Sequence, residues 1–462
     1  GGSVNMDVPS PGVGGFGAGG GTFSDGGQGG GGLGAGGALF VMNGASVTVS
    51  SGSFAGNAVT RGTGGQDGSA YGADLFLGAN VAFDVSSGQT LSIQSLGGAG
   101  NLADPNVAAN ANDPNAQGGI VKTGGGLLTL TGTSYYSGIT TIHSGTLALA
   151  AGAVEQGTTI VTVGQNAGDV ATLQLGGSSN LALAGWNPAN PAASTDQPVM
   201  IAQDAGSTGT IVIGDGPGSN GAFIGARTFT GGSGTASIVF MQQYNAPAGT
   251  DPVYQFSTTL TGSMALVQDG LGTTSLQPLY GTNTFVGPVT INAGTLATAG
   301  ATAALAGVSG ITVNSGGVLS LGQTEGVNEH AQLTLAGGVL ETDADLMQTL
   351  ASLSVTGSTS IIDYLGNSST LIFSSLSLAP TGHLSIWNYD GTNDFLYVTS
   401  GIVSGDLADI AFYSDSGSTF LGYGGFADGN RLVAVPEPST VVMAVAGLAC
   451  GGYRMLRRRK RA

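Results

Sequence analysis

Glycine punctuates this chain too densely for long helices. It has 86 Gly and 15 Pro among 462 residues, about a fifth of the sequence where about 12 per cent is usual. Gly weakens a helix interior through its backbone entropy, and Pro breaks one through its missing N–H. The glycines keep no every-third spacing, which excludes collagen. At 41% hydrophobic residues and a mean hydropathy of +0.25 the chain is too apolar for a disordered polar tract. It can bury a core, but only through short elements joined by turns.

From Ser46 onward apolar and polar residues alternate in bursts such as Ser46-Val47-Thr48-Val49, Thr90-Leu91-Ser92-Ile93, Thr172-Leu173-Gln174-Leu175 and Gln332-Leu333-Thr334-Leu335. A period of two is that of a half-buried strand. Sandwiches and propellers also consist of many short strands, so the internal repeat has to discriminate. The stretch Gly132 to Leu147 returns as Gly281 to Leu296, with Gly132, Gly138 and Gly145 recurring as Gly281, Gly287 and Gly294. Glycine turns between Ile, Val and Leu strands, with equivalent apolar residues stacked coil on coil, are what a parallel β-helix requires. The fold class expected is all-β, a parallel β-helix.

Charge is scarce, at 8% of residues, and unevenly placed. Arg454, Arg457, Arg458, Arg459, Lys460 and Arg461 crowd the end, leaving Arg61, Lys122, Arg227 and Arg431 as the four bases among residues 1–434, against 26 acids. Such a body repels nucleic acid, because phosphate binding needs clustered Lys and Arg. Any polymer it binds is expected to be neutral or cationic. Cys450 is the single cysteine, so no internal disulfide forms, and His143, His330 and His383 have no metal-ligand spacing. Neither metal nor cofactor is expected. Two Gly-x-Gly-x-x-Gly windows, Gly12 to Gly17 and Gly32 to Gly37, lack the strand-then-helix setting of a dinucleotide loop. The chain opens Gly1-Gly2-Ser3, so an export leader is expected to have been removed or to lie upstream.

Three resemblances follow from these motifs. Ile120 to Leu149, and more loosely Ala265 to Leu296, resembles the autotransporter-associated β-strand repeat. Gly36-Gly37-Ala38-Leu39 with Phe54-Ala55-Gly56-Asn57 resembles the paired motifs of polymorphic outer-membrane protein passengers. Both families imply a right-handed parallel β-helix displayed outside the cell. The end of the chain resembles the PEP-CTERM sorting signal of Gram-negative bacteria: Val435, Pro436, Glu437, Pro438, Ser439 and Thr440, then the apolar run Val441 to Tyr453, then the basic cluster from Arg454. This resemblance implies an exosortase-type processing enzyme as partner, transient anchoring in the inner membrane by a short hydrophobic helix over 441–456, and delivery to the outer surface or the extracellular matrix. The organisation expected is a Gly-rich start over 1–37, the β-helix over 38–386, an aromatic-rich terminal cap over 387–434 and the sorting signal over 435–462.

The densest acidic cluster is Glu341, Asp343 and Asp345, which would share one face of a strand and could hold Ca²⁺ or a general acid and base, with Asp363 one coil away. No Lys or Arg occurs between Arg227 and Arg431 to support an anionic intermediate, so a solvated acidic edge is expected. The expected function is a non-catalytic surface or matrix protein, structural or adhesin-like, with exopolysaccharide or cell-surface glycan as a candidate partner. The alternative is a polysaccharide-acting enzyme or carbohydrate-binding protein.

Overall fold

The computed structural model describes residues 20–21, 29–54, 56–98, 118–187, 190, 194–216, 221–243, 253–279, 281–298, 304–343, 345–366, 368–402 and 405–436. Two compact units divide at Ser309 and Gly310.

In the first unit the chain winds through three strand directions per coil. Thr133–Tyr135, Thr140–Ile142 and Ser144–Leu149 make one coil, and Val154–Gln156, Val161–Val163 and Val170–Leu175 the next. Each strand pairs in parallel with its equivalent one coil away: Thr133 faces Val154, Thr140 faces Val161, and Thr146 faces Thr172. Parallel neighbours one coil apart, with glycine turns rather than helices between them, form a β-solenoid. The ladders hold the alternation in register. Leu91, Leu128, Leu147, Leu173, Ile211, Ile238, Leu266 and Val289 are successive partners along one sheet, and each is at most 2% exposed. A one-residue slip would turn the whole column to solvent, so burial fixes the register.

In the second unit the ladder Gly310–Asn314, Gln332–Ala336, Ser352–Val355 and Leu376–Leu378 is parallel throughout. So are the ladders from Gly317–Leu321 to Ile410–Ser414 and from Met347–Leu350 to Phe395–Val398. Parallel pairing therefore continues beyond residue 386, where the sequence places the start of the cap. The change of pattern comes later. Thr419–Ala427 pairs antiparallel with Ile410–Ser414 on one side and with Arg431–Val435 on the other, and the latter pairs antiparallel with Phe395–Val398. This hairpin joins two ladders that would otherwise end as open edges, and open edges invite pairing with other chains. Tyr389 packs on Tyr364 and Phe412. Phe420 and Tyr423 stand outward, each about two-fifths exposed.

The inward columns carry the stability. Leu173→Ala is expected to lower the stability of the first unit by about 2–5 kcal/mol, the range for a cavity in a packed core, whereas the outward Thr172→Ala should change it by less than about 0.5 kcal/mol. Urea unfolding followed by far-ultraviolet circular dichroism measures both.

Candidate functional site

The two repeat copies build the same corner. At Gly145 φ is 71° and at Gly294 it is 62°, the left-handed region that disfavours side chains. A Cβ at Gly145 would lie 2.4 Å from the Gly126 carbonyl oxygen and 2.6 Å from that of Gly124, and one at Gly294 would lie 2.3 Å from Gly270 O and 2.5 Å from Gly272 O. Both corners thus press on the glycine-rich turn of the preceding coil. Gly138 and Gly287 fill a second shared position, where a Cβ would meet Gly118 O at 2.4 Å and Met264 O at 2.0 Å. A Cβ at Gly132 would lie 2.4 Å from Gln94 O, whereas at Gly281 it would meet only the Thr259 side chain, at 3.7 Å.

The copies occupy different sheets. Gly145 opens Ser144–Leu149, while Gly294 follows Pro288–Ile291, and these two strands lie in the same sheet. The repeat is therefore rotated by one face between copies, and what it encodes is a corner, usable at more than one edge of the coil.

Each corner also contains a buried polar residue that composition alone would not place there. Lys122 sits between Phe83 and Ile142 in an inward column, fully buried. Its Nζ donates to the carbonyls of Thr123 (2.7 Å), Gly124 (2.6 Å) and Ser144 (3.0 Å). Gln268 sits between Phe240 and Ile291, and its Nε2 donates to Gly270 O (2.8 Å) and Gly272 O (3.1 Å). Turn carbonyls that leave the ladder need donors when buried, and each side chain supplies them. Burial pulls the Lys122 ammonium down from 10.5 to about 8, against the opposing pull of Asp84. The signal was present in the sequence: Lys122 shares the parity of Ile120 in Ile120-Val121-Lys122, so alternation points it inward.

His143 and Asn292 occupy matching positions outside the corner. His143 Nδ1 lies 2.7 Å from Asp169 Oδ2, and Asn292 Nδ2 donates to Asp269 Oδ1 at 2.6 Å. His330 and His383 lie beside Glu329 and Asp409 on the surface. Among the described residues no group of three His, Cys, Asp or Glu side chains is placed to hold a metal ion.

The acidic cluster is not a single strand face. The strand Val339–Thr342 ends before Asp343, so Asp343 and Asp345 lie beyond it and are exposed. Asp345 accepts the Ser368 N–H. Asp363 does lie one coil away, as the register partner of Glu341, and its Oδ1 accepts from Leu365 N–H and Asn388 Nδ2. Burial, then Asp363 and Asp343, push the Glu341 carboxyl above its ordinary value. Glu155 is buried more deeply, facing Ser134 and Leu181, with an Oε1 that has no partner among the described residues. Burial pushes it from 4.5 up to about 8.

Of the sorting motif, Val435 ends the strand Arg431–Val435 opposite Tyr423 and is about half exposed, with Pro436 following it. Glu437 to Thr440, the expected helix over 441–456 and the basic residues Arg454, Arg457, Arg458, Arg459, Lys460 and Arg461 lie outside the described residues. Among the described residues no helix is long and apolar enough to cross a membrane.

The model of the passenger-associated transport repeat matches residues 120–149 and 266–297. These are the segments that form the two corners. The chain carries autotransporter-associated β-repeats, and such repeats point to a cell-envelope or surface protein. No curated protein and no solved structure matches the chain.

Two predictions follow from the corners and the buried charges. Gly145→Val should destabilise the first unit by more than about 2 kcal/mol, combining positive-φ strain with overlap on two carbonyls, while Lys122→Gln, which installs the other corner's residue, should be tolerated better than Lys122→Met, which strands the carbonyls. Thermal unfolding ranks the three. The second concerns pH. The folded state holds the Glu155 proton up to about 8, whereas an ordinary carboxyl releases it near 4.5, so stability should fall as pH rises between these values. Lys122 acts in the opposite sense higher up: its penalty is relieved as pH rises from about 8 to 10.5. Glu155→Gln should flatten the first slope and leave the second, as read by denaturation midpoints across the range.

Proposed function

We propose that this chain is a non-catalytic, exported surface or extracellular-matrix protein, structural or adhesin-like in role, wound as a right-handed solenoid and sorted through a PEP-CTERM signal. The observation that carries this reading is the coincidence of the passenger-associated repeats with the corners of a continuous parallel coil. Right-handed winding is what nearly all parallel crossover connections adopt. The sorting reading rests on the order of motif, apolar run and basic cluster in residues 435–462.

The sequence of the tail suits temporary anchoring. A helix over Val441 to Tyr453 would span about 20 Å, short for a hydrocarbon core of about 30 Å. Met455 and Leu456 would lengthen it while Arg454 snorkelled, and the basic cluster would keep the end cytoplasmic. With φ fixed at both prolines, Pro436 and Pro438 would favour an extended segment within reach of an exosortase-type enzyme. Cys450 would serve there as a small hydrophobe.

The rival reading is a polysaccharide-acting enzyme, favoured by the pairing of Glu341 with Asp363 across adjacent coils. Against it stand the dispersal of Asp343 and Asp345 beyond the strand and the hydrogen bonds that occupy Asp363. Turnover of neutral or acidic glycans by the purified chain, abolished by Glu341→Gln, would establish the enzyme instead; no turnover is expected. Mass spectrometry of the protein from its native host should find chains that end between Pro436 and Thr440. Recovery chiefly of chains retaining Arg457 to Arg461 would make the tail a permanent anchor.

A further inference from the structure

One ladder of the first unit stops abruptly. Its strands run from Leu39–Val41 to Phe223–Gly225, which is the last of its sheet. The next coil enters as Val253–Phe256, which belongs to a different sheet. Two surface cavities, of about 460 Å³ and about 300 Å³, open at this break and share Trp186 and Phe223 as their common wall.

Glycine makes room for the aromatic rings. A Cβ at Gly225 would lie 2.8 Å from Trp186 Cδ1, and one at Gly221 would lie 2.0 Å from Tyr254 Cδ2, so the two rings rest on bare backbone on either side of Phe223. Phe223 itself is 49% exposed, a large apolar side chain presented to solvent by a strand whose next residue, Ile224, is buried. Tyr254 is fixed by its hydroxyl, which donates to the Ala222 carbonyl at 2.8 Å. Around the rings stand side-chain amides: Gln255 in the larger cavity, Gln156 and Asn180 in the smaller. Asn180 is the register partner of Phe223, and its Oδ1 is buried without a partner among the described residues.

We propose that this cleft binds a neutral oligosaccharide, with sugar rings in the two cavities on either side of the Trp186 and Phe223 wall and sugar hydroxyls meeting the side-chain amides of Gln255, Gln156 and Asn180. Concave sites with apolar walls and a few placed polar groups are the usual form of small-ligand sites. A pyranose matches these walls because its C–H face is apolar while its edge carries hydroxyls for the amides. Charge decides the class of sugar. Among the described residues no Asp, Glu, Lys or Arg lines either cavity, and residues 1–434 carry 26 acids against four bases, so a uronate would be repelled by the body as a whole. An extended peptide is disfavoured, since Tyr254 occupies the Ala222 carbonyl at the strand edge where such a chain would add.

This inference deepens the surface-display reading by naming a ligand class, and the two fail separately: cell fractionation tests display, whereas titration of the purified chain tests the cleft. The full chain in detergent is titrated calorimetrically with cellohexaose, mannohexaose and hexagalacturonate, and Trp186 fluorescence is followed in a Trp387→Phe background. At least one neutral hexasaccharide should bind and shift the Trp186 emission. Trp186→Ala and Phe223→Ser should each weaken that binding by about tenfold or more. Asn180→Ala should weaken it as well, with the thermal unfolding of each variant measured alongside so that a loss of binding is separated from a loss of folding. Failure of both neutral sugars to bind, preference for hexagalacturonate, or undiminished binding by the Phe223→Ser variant would each overturn the proposal.

Discussion

A parallel coil can stack on its neighbour only if its corners turn without driving side chains into the backbone below, and if the carbonyls that leave the ladder at those corners find donors. Everything else in this protein depends on meeting those two demands. Gly145 and Gly294 meet the first, with positive φ and with no Cβ facing a glycine-rich turn. Lys122 and Gln268 meet the second from inside the coil. Because the strands between corners then fall into register, Leu, Ile and Val form long inward columns, and the hydrophobic effect stabilises the stack.

The same demands explain where polar groups are buried in a chain so poor in charge. Lys122 interrupts an apolar column because three carbonyls converge on it, and it gives up part of its basicity in return. Glu155 has no comparable set of donors, so burial favours its neutral form. A solenoid must also be finished at its end. Thr419–Ala427 and Arg431–Val435 do this by turning antiparallel across two parallel ladders, and the chain leaves that hairpin directly into Pro436.

Much of this was legible in the sequence. Alternation marked the strands, and the spacing of Gly132, Gly138 and Gly145 against Gly281, Gly287 and Gly294 marked the repeat, because turn geometry restricts residue type locally. The rotation of the second copy onto another face was not legible, since a corner motif carries no information about which edge of the coil it forms. Asp343 and Asp345 were misplaced on the strand of Glu341 for a related reason: alternation shows which side a residue would face, not where the strand stops. The Trp186, Phe223 and Tyr254 cleft was invisible because its members come from three coils, and only the interruption of one ladder brings them together.

The central claim is parallel, in-register stacking of successive coils. Thr90, Leu127, Thr146, Thr172, Thr210 and Ser237 are consecutive partners along one ladder. Spin labels at Thr90→Cys and Ser237→Cys, with Cys450→Ser to remove the native thiol, report their separation directly by pulsed electron resonance. Five strand spacings of about 4.8 Å predict a narrow distribution centred near about 24 Å. A broad distribution, or a separation far from that value, would contradict the stacked coil.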